Sequence, residues 1–212
     1  MTVADIILAE NHRWFLLSDQ NWLVNPDKGV TMHKIDGVTA LSLEDLITTG
    51  TAGTWRSLPF SLACIDIEGI YDPDCINGNF LGSNKARLPE GFDVGVAQLK
   101  LRYVMASEKC SIDDARGFAF NPKKAIPYFF GIMAGHLVWA DSVIAQQKVK
   151  PDSAFNSAYL NRYLLATCSY NEGDGGMEKL LTAPTISHGT HVMDMERKFA
   201  SQLGVTSLFP LT

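Results

Sequence analysis

Residues 62–71, with the sequence LACIDIEGIY, form the most apolar helical stretch of this chain, and they carry a glutamate, Glu68, near their end. Ser57-Leu58-Pro59 precedes this stretch and is typical of a helix cap followed by a proline in the first turn. Apolar side chains lie nearly all round the helix, which predicts that it is buried on most sides. The helix should end at Asp72-Pro73, because the residue before a proline disfavours helical geometry.

A carboxylate inside so apolar a helix needs an explanation, since burying an unpaired charge is costly. Two structural interpretations are open: Glu68 and Asp66 are solvated acids on one wet stripe, or Glu68 is buried and paired with an arginine such as Arg102. A functional interpretation is open too, because apolar surroundings and the negative end of a helix both disfavour ionisation of a carboxyl group. A carboxylic acid that is protonated near neutral pH is what general acid catalysis of glycoside cleavage requires.

The composition indicates a packed globular protein. The chain has 212 residues, 46% of them hydrophobic and 19% charged, against about 25% charged residues in a typical domain. The net charge of −5 argues against a dedicated nucleic-acid binder, which would carry a basic stripe. Since no run of about 18 apolar residues occurs, we expect no membrane-spanning helix.

The spacing of apolar residues predicts a mostly α protein with little strand. Residues 1–55 are predicted to be an N-terminal extension that packs on a catalytic domain of residues 56–212, and residues 74–93 to be a loop or a small hairpin. Asn121-Pro122 should open the longest helix, which is amphipathic. The other predicted helices cover residues 3–10, the segment from Ser42 to Gly50, and residues 94–106, 157–169 and 191–203.

Three segments, in the same order along the chain, resemble motifs of lytic transglycosylases and goose-type lysozymes: ACIDIEGIYDP (63–73), DVGVAQL (93–99) and CSYNEG (168–173). Each motif alone is weak, but three in order, with the acid in an apolar helix, together favour this family. The resemblance covers roughly residues 57–203. It implies a lysozyme-like helical domain that cleaves the β-1,4 bond between MurNAc and GlcNAc in peptidoglycan.

The resemblance implies a role for each matching residue of the first two motifs. Glu68 would protonate the leaving glycosidic oxygen and then act as the base of the second step. Gln98, together with backbone groups of residues 95–99, among them Gly95 and Val96, would contact the sugar near the cleaved bond. Glycine at position 95 would allow a close backbone approach.

In the third motif, Tyr170 and Asn171 would orient the catalytic glutamate and hold the N-acetyl or hydroxyl groups of the substrate. Each residue also has a structural interpretation. Tyr170 is alternatively a core tyrosine whose hydroxyl is hydrogen-bonded, and Asn171 a helix cap or turn residue.

The chain departs from the family at two positions. Gly69 replaces the usual serine after the glutamate, and Lys100 stands where some goose-type lysozymes carry a second acid. An inverting hydrolase needs a second carboxylate to activate water, and Asp93 is the best candidate, ahead of Asp72 and Asp74. If Asp93 does not face Glu68, the substrate's own 6-hydroxyl attacks and yields an anhydro sugar, the outcome that the sequence slightly favours.

No cofactor and no metal site are expected. The four cysteines show no C-x-x-C spacing, which argues against zinc, and they are interpreted as buried or half-buried thiols. One or two disulfides are the alternative if the protein works outside the cytosol. The cysteines are Cys64, Cys75, Cys110 and Cys168.

The N-terminus lacks the basic segment and the apolar core of a signal peptide. We therefore expect action in the periplasm or at the cell wall after delivery by a virion, a holin or a secretion system. The expected partners are peptidoglycan glycan strands and either a cognate inhibitor or a virion or secretion component. The alternative functions are a catalytically inactive wall-binding module, favoured by Gly69 and Lys100, and a glycosidase of chitosan. The acidic net charge counts mildly against a wall enzyme, because cell walls are anionic.

Overall fold

The computed structural model describes residues 1–18, 30–55, 57–77, 85–146, 162–172 and 187–209. Within these ranges the chain is mostly helical, as predicted, with eight α-helices and four strands of two residues each. The helices are α1 (Val3–Ser18), α2 (Gly37–Gly53), α3 (Leu58–Gly69), α4 (Leu101–Glu108), α5 (Ile112–Ala119), α6 (Pro122–Ala145), α7 (Arg162–Glu172) and α8 (Ser187–Leu203). The strands are β1 (Val30–Thr31), β2 (Ile76–Asn77), β3 (Asp93–Val94) and β4 (Leu99–Lys100).

Packing divides the chain into two compact units. The first comprises Met1–Gly53 and Ile65–Phe129, and the second comprises Thr54–Cys64 and Phe130–Thr212. Helices α3 and α6 therefore contribute to both units. Residues of the predicted N-terminal extension group with part of the predicted catalytic domain, and the functional division at residue 55 stays a prediction.

Two helix starts follow from their caps as predicted. Helix α3 begins at Leu58, directly after Ser57 and with Pro59 in its first turn. Helix α6 begins at Pro122, and the side-chain oxygen of Asn121 accepts a hydrogen bond from the backbone N–H of Lys123 at 3.0 Å. The Asn121 cap satisfies a backbone donor that the first turn of a helix leaves without an intrahelical partner.

Other predicted boundaries are wrong. Helix α2 begins at Gly37 rather than Ser42, because Asp36 caps it by accepting a hydrogen bond from the Thr39 N–H at 2.8 Å. The predicted helix over residues 94–106 is helical only from Leu101, since β3, a turn and β4 occupy residues 93–100. Helix α1 extends past residue 10 to Ser18.

The boundaries of the last two helices also differ from the predicted ones. Helix α8 begins at Ser187 rather than His191. Helix α7 continues three residues beyond the predicted end at Ser169 and stops at Glu172, just before the glycine-rich segment. The predicted start of that helix, residues 157–161, lies outside the described residues.

The first unit contains a small antiparallel sheet with the strand order β1-β2-β3-β4. Strands β3 and β4 form a tight hairpin in which Asp93 pairs with Lys100 and Val94 with Leu99. Strand β2 lies within the predicted loop or hairpin region and pairs with both β1 and β3. The sheet therefore joins the residues that follow α3 to the segment of the second motif.

A buried asparagine of α1 ties this unit together. The amide nitrogen of Asn11 donates to the carbonyl oxygens of Ile70, at 2.9 Å, and His33, at 3.2 Å. Its side-chain oxygen accepts from the Ile35 N–H at 3.0 Å. Asn11 is fully buried, so it satisfies three backbone groups that would otherwise lack a partner away from water. The N-terminal helix thus holds the chain at the end of α3.

Aromatic side chains form the core of the second unit. The Trp55 and Phe130 rings lie 4.7 Å apart between centroids, and Phe60 packs edge-on against Tyr163 at 4.9 Å. The indole N–H of Trp55 donates to the Ser61 hydroxyl at 2.6 Å. Such pairs bury much apolar area and fix the relative rotation of the rings.

Among the described helices, α6 alone is long and apolar enough to cross a membrane by length and composition. The core helix of a soluble protein meets the same criterion. The expectation of no membrane span therefore stays a prediction.

Candidate active site

Glu68 lies in the last turn of α3 and is half-buried. The helix ends at Gly69, three residues before the predicted stop at Asp72, because Ile70 and Tyr71 both adopt left-handed backbone geometry, with φ of 54° and 57°. The Asp72 N–H donates to the Gly69 carbonyl at 2.8 Å and closes this turn. The glutamate is therefore followed at once by a sharply turned segment that is itself buried.

Gly69 packs directly against the turn of the β3–β4 hairpin. A Cβ atom added at Gly69 would lie 2.6 Å from the carbonyl carbon of Val96 and 2.8 Å from the carbonyl oxygen of Gly95. Both distances are shorter than those that real Cβ atoms show. The contacted atoms belong to the backbone, so they cannot move aside by a change of side-chain rotamer. The serine usual in the family has no room here. The first two motifs thus meet backbone to backbone, next to Glu68.

The hairpin turn runs from Gly95 to Gln98. Gly95 has a φ of 77°, and the Gly95 carbonyl accepts hydrogen bonds from the backbone N–H of Gln98 at 3.1 Å and from its amide nitrogen at 2.9 Å. A Cβ added at Gly95 would clash with the carbonyl group of Ala119, whose carbon lies 3.1 Å away. Glycine at position 95 therefore permits the close backbone approach of Ala119 of α5, whereas the predicted approach to a sugar stays a prediction.

Val96 and Gln98 are both buried within this turn. The Val96 side chain is 1% exposed, so its contribution to a ligand contact would come from its backbone. Gln98 is itself left-handed, with a φ of 46°, and among the described residues no donor lies within hydrogen-bonding distance of its amide oxygen. A buried acceptor without a donor is costly, so this oxygen is the group of the turn most in need of a further partner.

Left-handed backbone geometry is concentrated just after α3 and in the hairpin turn. The described chain contains four non-glycine residues with positive φ, and three of them are Ile70, Tyr71 and Gln98. Such geometry is rare outside glycine and is unusual for a β-branched residue such as isoleucine. Strained backbone that its surroundings hold in place is found preferentially at functional sites.

Asp93 stands on β3 with its carboxylate 3.5 Å from the Lys100 ammonium of β4. Burial raises the pKa of Asp93 above its ordinary value, and the nearby charge of Glu68 raises it further. Lys100 and Arg102 act in the opposite direction and favour the ionised form. The charge of Glu68 thus acts on the carboxyl group of Asp93, the other predicted catalytic acid.

Two further acids near Glu68 are buried, and sequence reasoning missed the first. Asp66, interpreted from the sequence as a solvated acid, is fully buried and accepts a hydrogen bond from the indole N–H of Trp14 at 3.3 Å. Asp72 accepts from the N–H of His33 at 2.5 Å, and the His33 ring nitrogen Nδ1 lies 3.1 Å from the same carboxylate oxygen. Burial raises the pKa of Asp72.

Tyr170 and Asn171 belong to the second unit, in the last turn of α7. Tyr170 is half-buried and packs edge-on against the ring of His136, with the centroids 5.9 Å apart. His136 is held in turn by the buried hydroxyl of Ser169, 2.7 Å from its Nδ1. Asn171 is exposed on the helix and does not cap it.

All four cysteines lie within the described residues as thiols rather than disulfides, with three of them buried and Cys110 half-buried. Burial raises the pKa of the Cys75 thiol, and the charge of Asp72 adds to this effect. In the part of the chain that the structure describes, no group of three or more His, Cys, Asp and Glu side chains is arranged to hold a metal ion.

No family model, curated protein or solved structure matches this chain.

Proposed function

We propose that this protein is a peptidoglycan-cleaving glycosidase of lysozyme-like fold that acts on the β-1,4 bond between MurNAc and GlcNAc. Glu68 is its general acid. The observation that carries this proposal is the contact of Gly69 with the Gly95–Gln98 turn. That contact joins two motifs separated by nineteen residues (74–92) and leaves Glu68 half-exposed beside them.

The two departures from the family are compatible with catalysis. Gly69 is explained by the lack of space for a Cβ, so it does not indicate a lost function. Lys100 pairs with Asp93, a carboxyl group that lies near Glu68 and takes the place of the second acid. Neither residue then favours the inactive wall-binding module over an enzyme.

Each site residue has a proposed role. Glu68 donates a proton to the leaving oxygen. Gln98, together with backbone groups of residues 95–99, contacts the sugar near the cleaved bond, a role that rests on the resemblance. For Tyr170 and Asn171, which belong to the second unit, the role of holding the N-acetyl or hydroxyl groups rests on the resemblance of their motif alone and stays a prediction.

The proposed partners are peptidoglycan glycan strands, together with a cognate inhibitor or a virion or secretion component. Delivery to the periplasm or the cell wall by such a route is part of the same proposal. It rests on the sequence features given above.

The test compares Glu68→Gln with the wild-type protein in release of soluble fragments from dye-labelled peptidoglycan. Glutamine keeps the size and polarity of the side chain but has no proton to donate, so we expect release to fall by about 100-fold or more. Glu108→Gln, an exposed change at the end of α4, is the matched control and should release fragments at the wild-type rate. Circular dichroism should be the same for all three proteins.

Release by Glu68→Gln at the wild-type rate would refute the proposal. Wall binding by the wild-type protein without any released product would favour the inactive wall-binding module instead.

A further inference from the structure

Helix α1 binds the end of α3 at two positions that flank Glu68 in the sequence. The indole N–H of Trp14 donates to the Asp66 carboxylate at 3.3 Å. The amide nitrogen of Asn11 donates to the Ile70 carbonyl at 2.9 Å. Asp66 stands two residues before the glutamate and Ile70 two residues after it. The two donors are three residues apart in α1, so they lie on the same face of that helix.

The surroundings of these contacts are buried. Trp14 packs against a cluster of buried residues formed by Met32, Ile70 and Cys75. Asp66 is fully buried, so water competes little with the indole for its carboxylate. One face of α1 therefore holds the last turn of α3 both by hydrogen bonds and by apolar packing.

The turn that follows Glu68 needs such support. Ile70 has a φ of 54°, a left-handed geometry that a β-branched residue rarely adopts. Without the bond from Asn11 to its carbonyl, this segment would be free to relax towards a more favourable geometry. A displacement of about 1 Å at a catalytic group can lower the rate by about 100-fold, even when the change that causes it lies far from the reacting atoms.

We propose that Asn11 and Trp14 are positioning residues, which fix the last turn of α3 so that the Glu68 carboxyl group keeps the direction needed for proton donation. This inference rests on the proposed function. It makes α1 part of the machinery of the site, whereas the sequence assigned residues 1–55 to an extension that packs on the catalytic domain.

The first variant is Trp14→Phe, which keeps an aromatic ring against the buried cluster and removes only the indole donor to Asp66. Fragment release from peptidoglycan is measured over a range of substrate concentrations. We expect kcat to fall by about tenfold, because the glutamate is less well aligned in the transition state. KM should stay at the wild-type value, because the proposed sugar contacts of the hairpin turn are unchanged.

Trp55→Phe is the matched control. It removes the indole N–H that donates to the Ser61 hydroxyl at 2.6 Å, a bond to the first turn of α3 rather than to its last turn. Both variants therefore lose one tryptophan donor to the same helix, but only Trp14→Phe should lower kcat. Equal values of kcat in the two variants would overturn the inference, because loss of either bond would then act only through the stability of the fold.

Asn11→Asp tests the second contact. Aspartate keeps the size of the side chain and its acceptor for the Ile35 N–H, but it has no amide to donate to the Ile70 carbonyl. We expect kcat to fall by about tenfold or more, again with an unchanged KM. If Asn11→Asp does not fold, the comparison of Trp14→Phe with Trp55→Phe decides the inference by itself.

A measurement without substrate separates this inference from the proposed function. Carboxyl NMR of protein labelled with ¹³C-glutamate reports on Glu68, whose signal is assigned by its loss in Glu68→Gln. The signal should shift or split in Trp14→Phe and stay in place in Trp55→Phe. An unmoved signal in Trp14→Phe would overturn the positioning role whether or not the protein cleaves peptidoglycan. A wild-type protein that releases no fragments would instead refute the proposed function.

Discussion

Helices α3 and α4 both end in left-handed residues, but the two ends are built differently. Helix α4 stops with the single exposed residue Lys109, whose φ is 50° and whose N–H donates to the Met105 carbonyl. Helix α3 stops with Gly69 and then two buried left-handed residues, Ile70 and Tyr71. The first is an ordinary way to end a helix, whereas the second places an isoleucine where a side chain is rarely tolerated.

The two helix ends differ in what holds their backbone geometry. Each left-handed non-glycine residue costs about 1–2 kcal/mol of conformational free energy. At the end of α3 the two such residues directly follow Glu68 and Gly69, and contacts with α1 and the hairpin turn offset their cost. Asn11 binds the Ile70 carbonyl, and the hairpin turn packs on Gly69. Surrounding structure therefore holds the α3 end in one geometry, while the α4 end only terminates a helix. Three predictions test this comparison.

The largest effect is expected for Gly69→Ala. The added Cβ meets the backbone of Val96 and Gly95, which has no rotamer to change, so we expect a loss of about 3 kcal/mol in the free energy of unfolding. Fragment release from peptidoglycan should fall with it, because the turn must move away from Glu68. Urea unfolding followed by circular dichroism measures the change.

Gly117→Ala is the matched control for that change. Gly117 lies in α5 with open space where its Cβ would be, so alanine should stabilise the protein by up to about 1 kcal/mol. Equal and small effects at the two glycines would show that the α3 end is not held by the turn.

An intermediate effect is expected in the pH dependence of stability. Because burial raises the pKa of Asp93 in the folded state, the folded protein binds a proton there more readily than the unfolded chain. The stabilisation is therefore complete below the unfolded pKa of about 4 and is lost as the pH rises through the folded value. Asp93→Asn should remove this part of the dependence, so its free energy of unfolding should fall less than that of the wild-type protein on going from about pH 4 to about pH 7.

The exposed Asp45→Asn on α2 is the control for this measurement and should follow the wild-type curve. If Asp93→Asn also followed the wild-type curve, folding would not raise the pKa of Asp93 in the wild-type protein, and the prediction would be wrong.

The smallest effect separates the two helix ends themselves. Lys109→Gly relieves a left-handed residue that is exposed, so we expect a gain of about 1 kcal/mol in the free energy of unfolding. Ile70→Gly relieves the same strain but removes a buried side chain, whose loss costs about 1.5–3 kcal/mol, so no net gain should appear. Thermal unfolding of both variants is the measurement, and a similar gain at Ile70 would erase the difference between the two ends.

Much of the helical fold could be predicted because its signals are local. Asn121-Pro122 and Ser57-Leu58-Pro59 are signals contained within a few residues, and α6 and α3 begin there. The hairpin of residues 93–100 could not be predicted, because strands of two residues are too short to show alternation. Its apolar residues also fit a helical spacing.

Only part of the geometry around the predicted site could be predicted from the sequence, because that geometry depends on distant residues. The pattern singled out Glu68 and the segment of Gln98, and these do lie together through Gly69. It could not predict the burial of Asp66, whose hydrogen-bond donor Trp14 is 52 residues away, or the pairing of Asp72 with His33. The left-handed backbone at Ile70 could not be predicted either, because β-branched residues rarely adopt positive φ.

The most direct test of the central claim is mass spectrometry of purified peptidoglycan digested by the wild-type protein and by Glu68→Gln. The account predicts disaccharide-peptide fragments cut between MurNAc and GlcNAc with the wild-type protein, and none above background with the variant. The same fragments from both proteins, or intact glycan strands after digestion with the wild-type protein, would contradict it.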